Sequence, residues 1–145
     1  MSGFWRTWMA GWCWAVAAFG ALLAGGAVEA TSGPVRLLLE VLNGPAVVTL
    51  DDTARFSLAV LGAVTIGWSL TLLAAIDAAC RLGAQGRPIW RLIAISLAVW
   101  YVIDCVLSVV TGFGLNVIPN TVLTAAFLPP IVGLLRRPSA AFHSP

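Results

Sequence analysis

The chain is 145 residues long, 60% hydrophobic and only 10% charged, with a mean hydropathy of +0.96, too apolar for a soluble domain of this size. Its net charge of +2 rests on eight scattered arginines with no lysine, which excludes a nucleic-acid-binding surface. Three isolated cysteines, Cys13, Cys80 and Cys105, and a single histidine, His143, offer no metal-ligand spacing, haem ligand or His-based triad inside the apolar region, so no cofactor and no metal are expected.

In chain order, the first apolar run is Trp8–Val28, long enough to cross about 30 Å of hydrocarbon. Its AVEA ending would also suit signal-peptide cleavage after Ala30, but the run is longer than a usual signal core, and an uncleaved span is the better reading. Cys13, Ala17, Ala21 and Ala24 give it a small-residue packing face. The loop that follows holds Val35, Leu38, Leu39 and Leu42 at helical spacing, with Arg36, Glu40 and Asn43 opposite. Arg36 and Glu40 are spaced for an i,i+4 pair, Ser32 could cap this helix, and Asn43-Gly44-Pro45 ends it. It is too short to span and is expected to lie on the outer membrane surface.

A second span runs over 56–79, where Gly62 and Gly67 suggest helix packing and Asp51 and Asp52 suit the helix start. Asp77, four residues before Arg81, is spaced for an interfacial ion pair. The third span covers 92–112 and the fourth 117–135, joined by the uncharged stretch Gly112–Asn120 and therefore antiparallel neighbours. Residues 138–145 read as a short disordered cytoplasmic tail on a single domain, 1–137. The fold class is thus an all-α membrane protein: a four-transmembrane-helix bundle with a short amphipathic interfacial helix in the first outer loop. Six of the eight arginines fall on one side, which places both termini in the cytoplasm. Trp5, Trp8 and Trp90 sit where an inner-face aromatic belt belongs.

Asp104 stands out, because a carboxylate deep in an apolar span is costly and intramembrane acids mark functional sites. Ser96, Trp100, Asp104 and Ser108 recur every four residues and share a face. Counting thirteen residues from Arg91, Arg81 and Arg136 puts Asp104, Trp68 and Leu123 at one depth, near mid-membrane, close to Thr65, Ser69 and Thr124. Pro129 and Pro130 free the carbonyls near Ala125 and Ala126, so a neutral Asp104 is expected to donate there and staple the third span to the fourth. The other reading makes Asp104 a ligand or proton-coupling group in a cavity flanked by Trp68, Trp100 and Tyr101. Asn116 and Asn120 are expected to cap the fourth span, with rim contacts to a ligand second.

The stretch RLLLEVLNGPAVVTLDDTARFSLAVLGAVTIGWSLTLL and the later WYVIDCVLSVVTGFGLNVIPNTVLTAAFLPP resemble a group of uncharacterised small four-span bacterial membrane proteins. Arg55, the Gly62–Trp68 segment, Trp100 with Asp104, Ser108, Gly112, Asn116, Asn120 and the proline-bearing last span carry the resemblance. It implies the bacterial inner membrane and no particular activity. The lack of a membrane acid in the first span separates the chain from small multidrug exporters. The chain is not expected to be an enzyme, since nothing supplies a nucleophile with a base. It is expected to act through a membrane-protein partner or as a homo-oligomer in the lipid bilayer, or to bind a small apolar or weakly polar ligand. A small proton-coupled carrier using Asp104 is the alternative.

Overall fold

A computed structural model describes residues 2–43 and 48–135. Among them the chain is helical, with no strand. Helix α1 is Gly3–Ala24, α2 Gly33–Asn43, α3 Asp52–Arg81, α4 Arg87–Val110 and α5 Val117–Leu135, with two 3₁₀ turns between α1 and α2 and one each between α3 and α4 and between α4 and α5. Four helical segments, Gly3–Ala27, Asp52–Arg81, Gly83–Val110 and Gly114–Gly133, are long and apolar enough to cross a membrane. The helix over Val35–Leu42 is present as α2. Gly44, Pro45 and the 138–145 tail lie outside the described residues.

The segment ends follow from local chemistry. Asp51 takes the Ala54 N–H at 2.7 Å and caps α3, and Pro88 sits in the first turn of α4, where no helical donor is lost. At the end of α4, Phe113 N–H reaches Ser108 O at 2.8 Å and Gly112 N–H reaches Val109 O at 3.2 Å. That double closure requires a left-handed residue, supplied by Gly112 at φ +88°. The chain then reverses at once into α5.

The four long helices fall into two antiparallel pairs. In α1 and α3 the backbones nearly touch at Gly20 and Gly62. A Cβ on Gly20 would stand 2.9 Å from Gly62 O, and one on Gly62 would strike Ala24 N and Gly20 O. Buried Ser69 donates to the Cys13 carbonyl across the same seam. The expected packing residues are only partly right. Cys13, Ala17 and Gly62 are buried, but Ala21 and Gly67 are exposed, because they lie on the helix faces turned away from the contact. Gly20, which the small-residue pattern passed over, takes their place.

The core lies toward the end of the bundle that carries the N-terminus. Met9, Trp12, Cys13, Leu72, Ile76, Ile93, Phe127 and Ile131 pack there. Trp90 belongs to this core at 3% exposure and not to an interfacial belt, packed with Met9, Trp12 and Ile93 in one cluster. Asp77 pairs with Arg81 at 2.6 Å, as spaced, and also with Arg6 at 3.2 Å. At the opposite end a smaller cluster of Leu23, Val35 and Leu58 fastens α2 to α1 and α3.

Candidate functional site

Between the two pairs, in the half of the bundle that carries α2, lies a cavity of about 800 Å³. Its walls are almost all apolar, contributed by α1 (Val16, Phe19), α2 (Leu38, Leu42), α3 (Leu61) and α4 (Leu107). Trp68 and Trp100 line it with ring centroids 5.9 Å apart, and Trp12 meets Trp68 edge-on at 6.2 Å. Asp104, Ser108, Asn116 and Asn120 form one polar wall, and the other two lining hydroxyls, Thr65 and Thr111, each bond to a carbonyl of their own helix.

Two i,i+4 pairs build that wall. Asp104 and Ser108 lie one turn apart on α4; Asn116 and Asn120 lie one turn apart across the start of α5. The Gly112 reversal brings the pairs face to face. Asn120 Nδ2 donates to Asp104 Oδ1 at 2.8 Å, Asn116 Nδ2 at 2.9 Å and Ser108 Oγ at 3.1 Å. Asn116 Nδ2 also reaches Ser108 Oγ at 2.9 Å. Asn120 and Ser108 are buried, while Asp104 and Asn116 are partly buried.

This arrangement corrects the expected staple. Asp104 does not donate to the Ala125 or Ala126 carbonyls; three donors converge on one of its oxygens instead. Its depth explains the difference. Asp104 stands level with Asn116 and Asn120 around the start of α5 and not with Thr124, a register that the Tyr101–Thr121 hydrogen bond shares. Counting from the arginines put Asp104 level with Leu123, about one turn of α5 beyond its actual partner Asn120. The carbonyl that Pro130 frees, Ala126 O, accepts from the Trp8 indole at 2.9 Å, and the Trp12 indole reaches Leu123 O at 3.0 Å. Thus the carbonyl that Pro130 frees bonds α5 to α1, not to α4.

Of the expected site residues, Asp104, Trp100, Ser108, Thr65 and Trp68 all line the cavity. Three do not. Tyr101 turns to Thr121, 2.9 Å away, Ser69 bonds within the α1–α3 seam, and the buried Thr124 hydroxyl has no partner among the described residues. Ser96, on the nominal Asp104 face, is exposed, because a four-residue step drifts around a 3.6-residue helix. Asn116 and Asn120 are direct partners of the carboxyl. Trp12 and Leu39 also line the site, and sequence reasoning did not assign them to it. Trp12, four residues after Trp8 on one face, was the available signal.

No family model, curated protein or solved structure matches this chain.

Helix α2 lines the cavity through Leu38, Leu39 and Leu42, and a group of charges lies at its start. Glu29, in the turn before α2, accepts from Arg36 Nη2 on both carboxylate oxygens, at 3.0 and 3.1 Å, and also pairs with Arg55. Arg36 therefore turns back to Glu29 and not forward to Glu40, since Glu29 is shared with Arg55 of α3. Ser32 does not act as a simple cap: its hydroxyl donates to Glu29 O at 2.9 Å and accepts from Arg36 Nε at 3.2 Å. The Arg36 hydrogen bond, with the charges of Arg36 and Arg55, outweighs desolvation and holds the Glu29 carboxyl below its ordinary range.

Proposed function

We propose that this chain is a bacterial inner-membrane protein with both termini cytoplasmic, which holds a small apolar or weakly polar molecule in its bundle. The single observation that carries the reading is the cavity itself: about 800 Å³, apolar on nearly every side, with one convergent polar group. The arginine distribution supports the orientation, and α2 then lies at the outer surface. The close packing of α1 along α3 supports a retained first span. Three donors on Asp104 Oδ1 favour an anchored acceptor over an acid that exchanges protons, which is the carrier reading.

The test is purification from native membranes followed by native mass spectrometry, with binding of the neutral dye N-phenylnaphthylamine measured in parallel. A stoichiometric small molecule, or saturable dye binding abolished by the cavity-filling Thr65→Trp, is the expected result. A stoichiometric protein partner with no dye binding would instead make the chain an interaction protein.

A further inference from the structure

Resting on the reading of the cavity as a small-molecule site, but giving its occupant a charge, we infer that the occupant is a lipophilic monovalent cation, with the charge at Asp104 Oδ2 and beside the indoles of Trp68 and Trp100. The carboxyl is presented in a particular way. Oδ1 is saturated by Asn116, Asn120 and Ser108, whereas Oδ2 has no partner among the described residues. Nor is Oδ2 sealed off, since Thr124 Oγ1 is the one buried side-chain oxygen or nitrogen left unpartnered among them. Asp104 lines the cavity and its carboxyl is fixed through Oδ1, which leaves Oδ2 free to accept.

Charge complementarity decides the class. Asp104 enters none of the ion pairs among the described residues, and no arginine lines the cavity. An anion would meet the carboxyl with nothing to compensate it. A cation is matched by the carboxyl and by indole rings, whose negative faces attract positive charge. An inorganic ion does not fit the rest of the wall. Calcium or magnesium takes six or more oxygens, and the leucines and Phe19 lining the cavity offer none. A delocalised or alkylated onium ion carries its own apolar shell and suits those walls.

The experiment uses two ions of nearly equal size and opposite charge, tetraphenylphosphonium and tetraphenylborate, on the full chain in neutral maltoside micelles, with empty micelles as blank. Each is titrated against bound N-phenylnaphthylamine. Tetraphenylphosphonium should displace the dye at roughly tenfold lower concentration than tetraphenylborate, and Asp104→Asn should remove most of that preference. Equal displacement by the two ions, with the dye bound, would overturn the cation inference and leave the cavity reading standing. Failure of the dye and both ions to bind would overturn both. The two-ion comparison needs only the wild-type chain, so it decides the matter even where Asp104→Asn does not fold.

Discussion

The two helix pairs are held together by different physics. Along α1 and α3 the contact is backbone against backbone at Gly20 and Gly62, with one hydroxyl, Ser69, crossing the seam. Along α4 and α5 it is a polar clasp in which three donors on the turn side meet one carboxyl. Lipid tails are as apolar as leucine, so helices in a membrane gain little from hydrophobic burial against one another. Dense packing and interhelical hydrogen bonds remain, and each pair uses chiefly one of them. A pair held by packing has no room to spare. A pair held by a clasp at one end leaves the neighbouring space open, and there the cavity lies.

Breaking the packed pair should cost most. Gly62→Leu forces side-chain atoms into Ala24 and Gly20 and should destabilise the chain by about 3 kcal/mol, the upper end of overpacking. Gly67→Ala, in open space, should be neutral or slightly stabilising through helix propensity. Unfolding in mixed micelles of increasing dodecyl sulfate reads both. Equal effects at the two glycines would remove the seam from the account.

Breaking the clasp should cost less. Asp104→Leu leaves the amides of Asn116 and Asn120 without their acceptor and should lower stability by roughly 1–2 kcal/mol. In that variant, cysteines placed at Tyr101 and Thr121 should cross-link more slowly than in the parent, since the loss is one of α4–α5 registration. An unchanged cross-linking rate would mean that the clasp does not hold the pair.

A smaller effect sharpens the role of the prolines. Trp8→Phe removes the indole donor from Ala126 O and should cost about 0.6 kcal/mol. With Pro130→Ala in the background, the helix supplies its own donor, and the same substitution should cost less still. A double-mutant cycle showing no coupling would sever the tryptophan from the proline.

The smallest effect is at the α2 end and depends on pH. Glu29 has a carboxyl held below its ordinary range, so its contribution is full above that range and is lost as pH falls through the lowered value. Acidification below the usual glutamate range should therefore loosen α2. A spin label on a cysteine at Leu38 should become more mobile there, and Glu29→Gln should show the looser state already at neutral pH. Mobility that rises identically in both proteins on acidification would place the cause elsewhere.

Much of the fold was legible because hydropathy and helical periodicity are one-dimensional signals. The four apolar segments, α2 and the Asp77–Arg81 pair could all be read from spacing. Rotational phase and depth could not. Gly20 and Gly67 look alike in sequence, yet only one faces a neighbour, and the choice depends on how α1 and α3 cross. Tyr101 adjoins Trp100 in sequence but points to Thr121. The importance of Asp104 was plain from its residue type. Its partners were not, because they depend on the reversal at Gly112, which folds Asn116 and Asn120 back onto α4. The prolines were rightly seen to free carbonyls and wrongly given to Asp104, since no spacing rule links Trp8 to a helix more than a hundred residues away.

The clasp itself is most directly tested by solid-state NMR on the chain in lipid bilayers, with ¹³C in the aspartate carboxyls and ¹⁵N in the asparagine side-chain amides. The account predicts that one aspartate carboxyl carbon, assigned to Asp104 by its loss in Asp104→Asn, is dephased by nitrogens at about 4 Å, the separation that two amide hydrogen bonds to one carboxyl oxygen impose. Substituting Asn116 and Asn120 together should abolish that dephasing and leave the other aspartates unchanged. An Asp104 carboxyl with no asparagine nitrogen nearby in the unsubstituted chain would contradict the clasp.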